Sequence, residues 1–272
     1  MSDVLIFPDS DAPTRWELPW GEVVAFSRCS PEREPNEDRA AVVSTPHGAL
    51  LLAIDGMGGQ SAGHVASRLT LERVLERVQH AEPTKSALRH AVLDGIEAAN
   101  RAVMDMGMGA GATLAAILVH EVHARTVHVG DAYALHVGQR GRVKSQTVSH
   151  SPTGYGVEAG LLDEAEAMVH EERHLVLNYV GHAGLRIEVG PSLTCAARDT
   201  LLVASDGLTD NLTQDEIISL ARKGPLIDGA EALSRTATER MRSPRPDRPS
   251  KPDDLTFVLC RPTRSTATAE TS

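Results

Sequence analysis

Aromatic residues are scarce: two Trp, three Tyr and three Phe make up 3% of the 272 residues, so the core must be built from Leu, Val, Ile and Ala. Cysteine is scarcer still. Cys29, Cys195 and Cys260 are odd in number, far apart and form no CxxC pair. A disulfide framework is therefore excluded, and reduced, buried thiols are expected. Positive charge is also short. The formal charge of −10 argues against a nucleic-acid or membrane-surface binder, because both want a basic face. No apolar run approaches the roughly 18 to 20 residues that cross a bilayer. The early Asp3, Asp9 and Asp11 do not fit a basic-then-apolar secretory signal. A soluble, cytoplasmic, monomeric protein is expected, with no nucleic-acid or membrane partner. The 12 histidines are scattered, and none is assigned to a metal.

What is present reads as one α+β domain. Residues 22–28, 39–45 and 48–54 are rich in β-branched or aliphatic residues, are punctuated by Pro and Gly, and predict strands. Helical spacing follows over 61–79 and 84–106, the second ending at Gly107-Met-Gly-Ala-Gly111. Further strands are expected at 112–120, 124–130, 132–138, 142–149, 185–189, 199–205 and 254–260, and helices at 213–222 and 228–242. The segment 150–184 reads as irregular, with a short helix near 174–179. Residues 1–20 read as an extended lead-in, 21–262 as the domain, and 263–272 as a disordered tail. Strand pairs joined by short turns, with helices in pairs, point to two stacked antiparallel sheets flanked by helices.

Acidic residues recur where predicted strands begin or end. Asp55 follows LLLAI, Asp131 follows TVHVG, and Asp206 follows LLVAS; Asp253 opens the last strand, and Glu37-Asp38 an early one. One acidic residue beside Gly at a strand end is commonly a turn residue. Five sequence-distant strand edges with the same habit are harder to dismiss, and if those edges meet at one rim the carboxylates crowd together. Two carboxylates about 4 Å apart would repel by ~4 kcal/mol at an effective dielectric near 20. Such a cluster needs cations. Hard oxygen ligands without paired His or Cys suit Mg²⁺ or Mn²⁺ rather than zinc, and two bridged ions would activate a water.

These residues resemble the type 2C metal-dependent protein phosphatases. Six pieces occur in the family's order: Arg33-Glu-Pro-Asn-Glu37-Asp38, Ile54-Asp55-Gly56-Met57-Gly58-Gly59, Gly111-Ala-Thr113, Val129-Gly130-Asp131, Ser205-Asp206-Gly207-Leu208 with Asp210, and Asp253-Asp254-Leu-Thr256. The resemblance implies a four-layer sandwich, two antiparallel β-sheets flanked by helix pairs. It also implies roles. Asp55 would bridge two Mn²⁺ or Mg²⁺ ions, with the Gly56 carbonyl completing the first site and Asp206 and Asp253 holding the second. Asp38 would orient water around the ions, and Glu37 would do likewise or touch a metal. Asp131, with Asp206 and Asp210, would form a weaker third site. Arg33 would clamp the substrate phosphate. Water activated by the ions would then attack phosphorus in line, releasing Ser or Thr of a phosphoprotein.

The chain departs from the family at several points. Ala132-Tyr133 replace the usual Ser-Arg after Gly-Asp, and Met57 stands where some members carry His after Asp-Gly. The usual Gly-Gly-His-x-Ala-Gly-Glu is Gly59-Gln60-Ser-Ala-Gly63-His64, where His64 reads either as a displaced acid or, more simply, as a half-exposed helix residue. Asp254 stands where Asn is usual. The 150–184 segment, with Glu164, Glu166, His170 and Arg173, could cover the site or be a surface excursion. The basic loop around Arg242–Lys251 could meet an acidic partner or be a solvated connection. A silent phosphoprotein-binding relative and a small-ester phosphatase remain alternative readings.

Overall fold

The computed structural model describes residues 3–45, 48–58, 62–82, 84–245 and 248–263. The expected tail therefore lies outside the described residues, as do Gly59, Gln60 and Ser61 of the glycine-rich motif. In chain order the elements are β1 (Asp3–Phe7), β2 (Thr14–Leu18), β3 (Gly21–Arg28), β4 (Arg39–Thr45), β5 (Gly48–Met57), α1 (Ala62–Gln79) and α2 (Lys85–Asp105). Then come β6 (Gly111–His120), β7 (His123–Val129), β8 (Tyr133–Val137), β9 (Val143–Gln146), α3 (Pro152–Glu158), α4 (Glu164–Val169), β10 (Glu188–Val189) and β11 (Leu193–Thr194). The chain closes with β12 (Thr200–Ala204), α5 (Asp206–Thr209), α6 (Gln214–Ala221), α7 (Leu226–Arg242) and β13 (Leu255–Pro262).

Two sheets form the middle layers. One runs β1-β4-β5-β6-β7-β10, with β11 also on β7; the other runs β2-β3-β13-β12-β8-β9. Every strand pairing between named elements is antiparallel. Side chains alternate along each strand, so both faces of the central strands are apolar. Leu50, Leu52 and Ile54 of β5 pack under Val74 of α1 and Ile96 of α2. Leu202 and Phe257 face Ile217 of α6 and Leu233 of α7. Between the sheets, Leu51, Ala53, Leu201, Val203 and Val258 interdigitate. The result is the expected αββα sandwich, stabilised by about 1.5–3 kcal/mol for each fully buried aliphatic side chain. No helix among the described residues is long and apolar enough to cross a membrane.

Three expectations change. The 3–18 stretch is not a lead-in: β1 pairs with β4 and β2 with β3, so it supplies an edge strand to each sheet. Phe7 and Trp16 pack with tilted rings across it, ring centroids 4.8 Å apart, using two of the chain's few aromatics. Within 150–184 the helices are α3 and α4, each opened by a side-chain cap (Ser151 to Gly154 N–H, Asp163 to Glu166 N–H). No helix forms at 174–179. Instead Val180 exchanges backbone hydrogen bonds of 2.8 and 2.9 Å with Ala112 of β6, and the Asn178 side chain grips both backbone groups of Arg186. These partners favour extended chain.

α1 and α2 pack closely where Gly95 meets Val74; a Cβ at Gly95 would lie 2.8 Å from the Val74 Cα. Ala is the better helix former by about 1 kcal/mol, but the obstacle is backbone and cannot rotate away. Gly95→Ala should therefore destabilise the protein by roughly 1–3 kcal/mol in urea unfolding; a stabilised variant would show that the helices can move apart freely.

Candidate metal centre

Strand alternation explains where the polar cluster sits. Leu51 and Ala53 face the inter-sheet layer, and Asp55 is next on that face. Ala40 and Val42 of β4 face it, with Asp38 two residues earlier; Val203 of β12 faces it, with Ser205 two residues later. On β13, Val258 and Cys260 face it, and Thr256 and Asp254 continue the row. At this one end, apolar filling gives way to oxygen. Ser27 and Thr256 share a hydrogen bond of 2.8 Å, and Ser205 Oγ donates to Asp38 Oδ2 at 2.6 Å.

The remaining acids arrive from the loops. Asp206 and Asp210 sit at either end of α5, so that short helix delivers both to the cluster. Asp206 lies within hydrogen-bonding reach of the carboxyls of Asp55 and Asp210. Asp253 sits just before β13. Arg33, half exposed above the cluster, donates to Asp253 Oδ1 at 3.0 Å and lies 3.6 Å from Asp254 and 3.9 Å from Glu37. Asp55, Asp206, Asp253, Asp131 and Asp210 thus share one neighbourhood, with Asp38 buried beneath and Arg33 on the rim.

Gly56 is required by a close crossing. A Cβ there would fall 2.2 Å from the Gly63 carbonyl oxygen, and one on Gly63 2.7 Å from that of Gly56. The crossing sets the start of α1 against β5. Glu37 is buried beside it, and its Oε1 accepts the His64 N–H at 3.1 Å. A carboxylate there also meets the positive end of the helix dipole. His64 itself is half-buried and receives a hydrogen bond of 2.8 Å from Arg39 through Nδ1, the simpler of its two readings.

Two residues that sequence reasoning undervalued prove central. Asp254, in the usual Asn position, is a backbone clamp: Oδ1 accepts the Ser30 N–H and Oδ2 the Glu37 N–H, both at 2.7 Å. It pins both ends of the loop carrying Arg33. Lys251, read only as part of a basic loop, reaches the acids of its own chain, with Nζ 2.7 Å from Asp206, 2.7 Å from Asp210 and 3.1 Å from Asp253. Its place two residues before Asp253 was the available signal.

The electrostatics match a crowded rim. Burial, then repulsion from neighbouring aspartates, pushes Asp38 and Asp55 well above the ordinary carboxylate range. The same causes take Asp131 and Asp210 to about 7 and Asp253 to about 6. Burial also pushes Asp206 upward, but Lys251 overcomes it and leaves Asp206 below its usual value. Three oxygens here are buried without a hydrogen bond from the protein: Asp38 Oδ1, Asp131 Oδ1 and Thr113 Oγ1. Thr113 pairs across from Asp55. Unpartnered buried oxygens among repelling carboxylates fit hard divalent cations and their waters.

Among the described residues the histidines offer no rival. His170-Glu-Glu-Arg-His174 has HExxH spacing, which the sequence reading passed over, but α4 ends at Val169 and a turn follows, so no helix face carries both rings. His128, His150 and Glu188 cluster, yet His128 Nε2 bonds Val148 O, and His150 Nδ1 accepts the Gly130 N–H. The group His136, Cys195 and Asp199 already holds Lys144 Nζ against Asp199.

A cleft of about 510 Å³ opens from Asp131, Asp206 and Asp210. Its far wall is Val157, Glu158, Glu164 and Met168 of α3 and α4, with Arg173 just beyond. The 150–184 segment thus borders the site.

Residues 28–247 match the model for protein phosphatase 2C. The chain belongs to that family. Among its relatives, the serine/threonine protein phosphatase PstP of Mycobacterium tuberculosis is 33% identical over 242 residues, 84% of this chain and 42% of the relative, so the chain spans less than half of that protein. A serine/threonine phosphatase structure from S. agalactiae superposes with a TM-score of 0.77 at 26% identity, covering 89% of this chain and 99% of that one. The catalytic domain of PstP in complex with two manganese ions gives 0.71 at 25% identity, covering 90% and 99%. Both structures bear out the family architecture expected from the motifs.

The raised carboxyls give a pH signature without metal. A carboxyl whose pKa rises on folding stabilises the fold at low pH and loses that contribution as pH rises through its folded value. The contribution of Asp131 is therefore complete below its ordinary value of 3.8 and is lost as pH rises to about 7. In chelator, Asp131→Asn should raise the melting temperature by a few degrees at pH 8 and change it little near pH 4; equal effects at both would contradict the crowding.

Proposed function

We propose that this protein phosphatase 2C family member hydrolyses phosphoserine and phosphothreonine in proteins with Mn²⁺ or Mg²⁺, in the cytoplasm, reversing a serine/threonine kinase. One observation carries the reading: Asp55, Asp206 and Asp253, remote in sequence, share one cluster beneath the guanidinium of Arg33. Asp55 and the Gly56 carbonyl would hold one ion, Asp55 with Asp206 and Asp253 the second, and Asp131 with Asp206 and Asp210 a weaker third. When bound, such ions acidify water and offset the negative charge of a phosphate ester.

The chain's own groups do the positioning. Arg33 presents a planar fork of donors at the rim and stays charged, so it binds two phosphate oxygens and fixes the ester's orientation. Asp254 holds the Arg33 loop by its backbone. Asp38, held by Ser205, keeps one oxygen free to orient water. Glu37 fixes the crossing at Gly56 through the start of α1. The cleft beside Asp131 would receive residues flanking the phosphorylated side chain.

With Mn²⁺ present, the purified protein should hydrolyse p-nitrophenyl phosphate and phosphopeptides in preference to sugar phosphates. Preference for sugar phosphates would favour the small-ester reading. No turnover, with undiminished phosphopeptide binding by Asp55→Asn, would favour a silent binding module. Asp206→Asn should abolish Mn²⁺-dependent turnover with the fold retained by circular dichroism, and full activity at saturating Mn²⁺ would remove Asp206 from the centre. Arg33→Ala should raise KM roughly ten- to a hundred-fold while leaving more of kcat intact; an unchanged KM would place the phosphate elsewhere.

A further inference from the structure

Lys251 is a built feature of the centre. An ammonium has three protons to donate, and the three carboxylate oxygens around Nζ, from Asp206, Asp210 and Asp253, account for all of them. Its backbone is fixed on both sides by one residue. Asn211, fully buried, accepts the Lys251 N–H at 3.0 Å and donates to the Lys251 carbonyl at 2.9 Å. The same Asn211 amide donates to the Gly207 carbonyl at 2.9 Å, so it ties Lys251 to the α5 turn that carries Asp206 and Asp210. On one flank Ser250 Oγ donates to the Arg240 carbonyl at 2.9 Å, and on the other Pro252 restricts the backbone. The ammonium is delivered to the acids by a framed loop.

We propose that Lys251 is a tethered cation that competes with the divalent ion held by Asp206 and Asp253. The proposal rests on the reading that these two aspartates bind metal. The Oδ2 oxygens of Asp206 and Asp253 that the ammonium contacts are ones that this ion would draw on. A monovalent and a divalent cation cannot both sit within bonding distance of the same oxygens without strong repulsion. Occupancy of that site then requires the lysine side chain to swing outward. Among the described residues no lysine or arginine forms an ion pair with Asp55: Arg33 acts on it only at longer range, and the largest charge interactions of Asp55 are with other aspartates. The two principal sites therefore differ: the ion on Asp55 and Gly56 binds first, and the ion on Asp206 and Asp253 joins only at higher free Mn²⁺. In its absence, the ammonium offsets the mutual repulsion of the acids and holds the fold together. Lys251 sets the metal concentration at which the centre is completed.

The test compares wild type, Lys251→Met, Lys251→Gln and Asp253→Asn by Mn²⁺ calorimetry and by thermal melting in EDTA. Wild type should show a tighter and a weaker class of Mn²⁺, and Asp253→Asn should lose the weaker one. Lys251→Met and Lys251→Gln should tighten the weaker class at least about ten-fold and lower the melting temperature in EDTA, so that added Mn²⁺ raises it by more than in wild type. A weaker class unchanged or loosened in both variants would overturn the competition while leaving the metal centre intact. Wild type binding no Mn²⁺ would overturn the metal centre itself, and the proposal with it. If both lysine variants fail to fold in EDTA, recovery of the fold by Mn²⁺ supports the exchange of one cation for another; failure to recover shows a structural lysine only and overturns it.

Discussion

Mutual repulsion of carboxylates at one end of the inter-sheet layer is the constraint around which this molecule is organised. Strands β4, β5, β12 and β13 each carry apolar side chains into that layer and then, where the layer meets solvent, turn to Asp, Ser or Thr. Burial raises the cost of every negative charge there, and the neighbouring acids raise it further. Such an arrangement persists only when positive charge is supplied. The chain supplies some through Lys251 and Arg33, and its oxygen-only donor set leaves divalent cations as the natural remainder.

The sandwich around the site serves to keep these acids from separating. Asp55 lies in, and Asp38, Asp206 and Asp253 lie next to, strands locked on both faces by aliphatic packing, so repulsion cannot be relieved by local movement. Close backbone crossing at Gly56 and Gly63, and the two-handed grip of Asp254 on the Ser30 and Glu37 amides, fix the loops that the sheets alone would leave free. The more adaptable wall is the α3–α4 side of the cleft, whose helices are short and carry few buried residues.

Legibility in the sequence followed physical distinctness. The central strands and long helices were readable because their apolar periodicity is strong, and the acids Asp55, Asp131, Asp206 and Asp253 stood out because each interrupts such a run beside Gly or at a strand end. Strands β1 and β2 were missed because edge strands need only one partner and carry little pattern. The expected helix at 174–179 does not form because the Leu177 N–H goes to the His150 carbonyl and Val180, just beyond, pairs with Ala112 of β6. Asp254 stands out in the sequence only as a departure from the family's Asn, yet its two oxygens are consumed by backbone amides that no linear pattern reveals. Lys251 looked like one more base in a proline-rich loop; only the fold shows that Asn211 turns it inward.

The most direct test of the central claim is anomalous diffraction at the manganese edge from crystals grown with Mn²⁺. Two strong peaks are expected at the end of the inter-sheet layer, both bonded to Asp55, with the Gly56 carbonyl on one and Asp206 and Asp253 on the other. Well-ordered Asp55, Asp206 and Asp253 with no peak between them, or manganese bound only elsewhere on the protein, would contradict it.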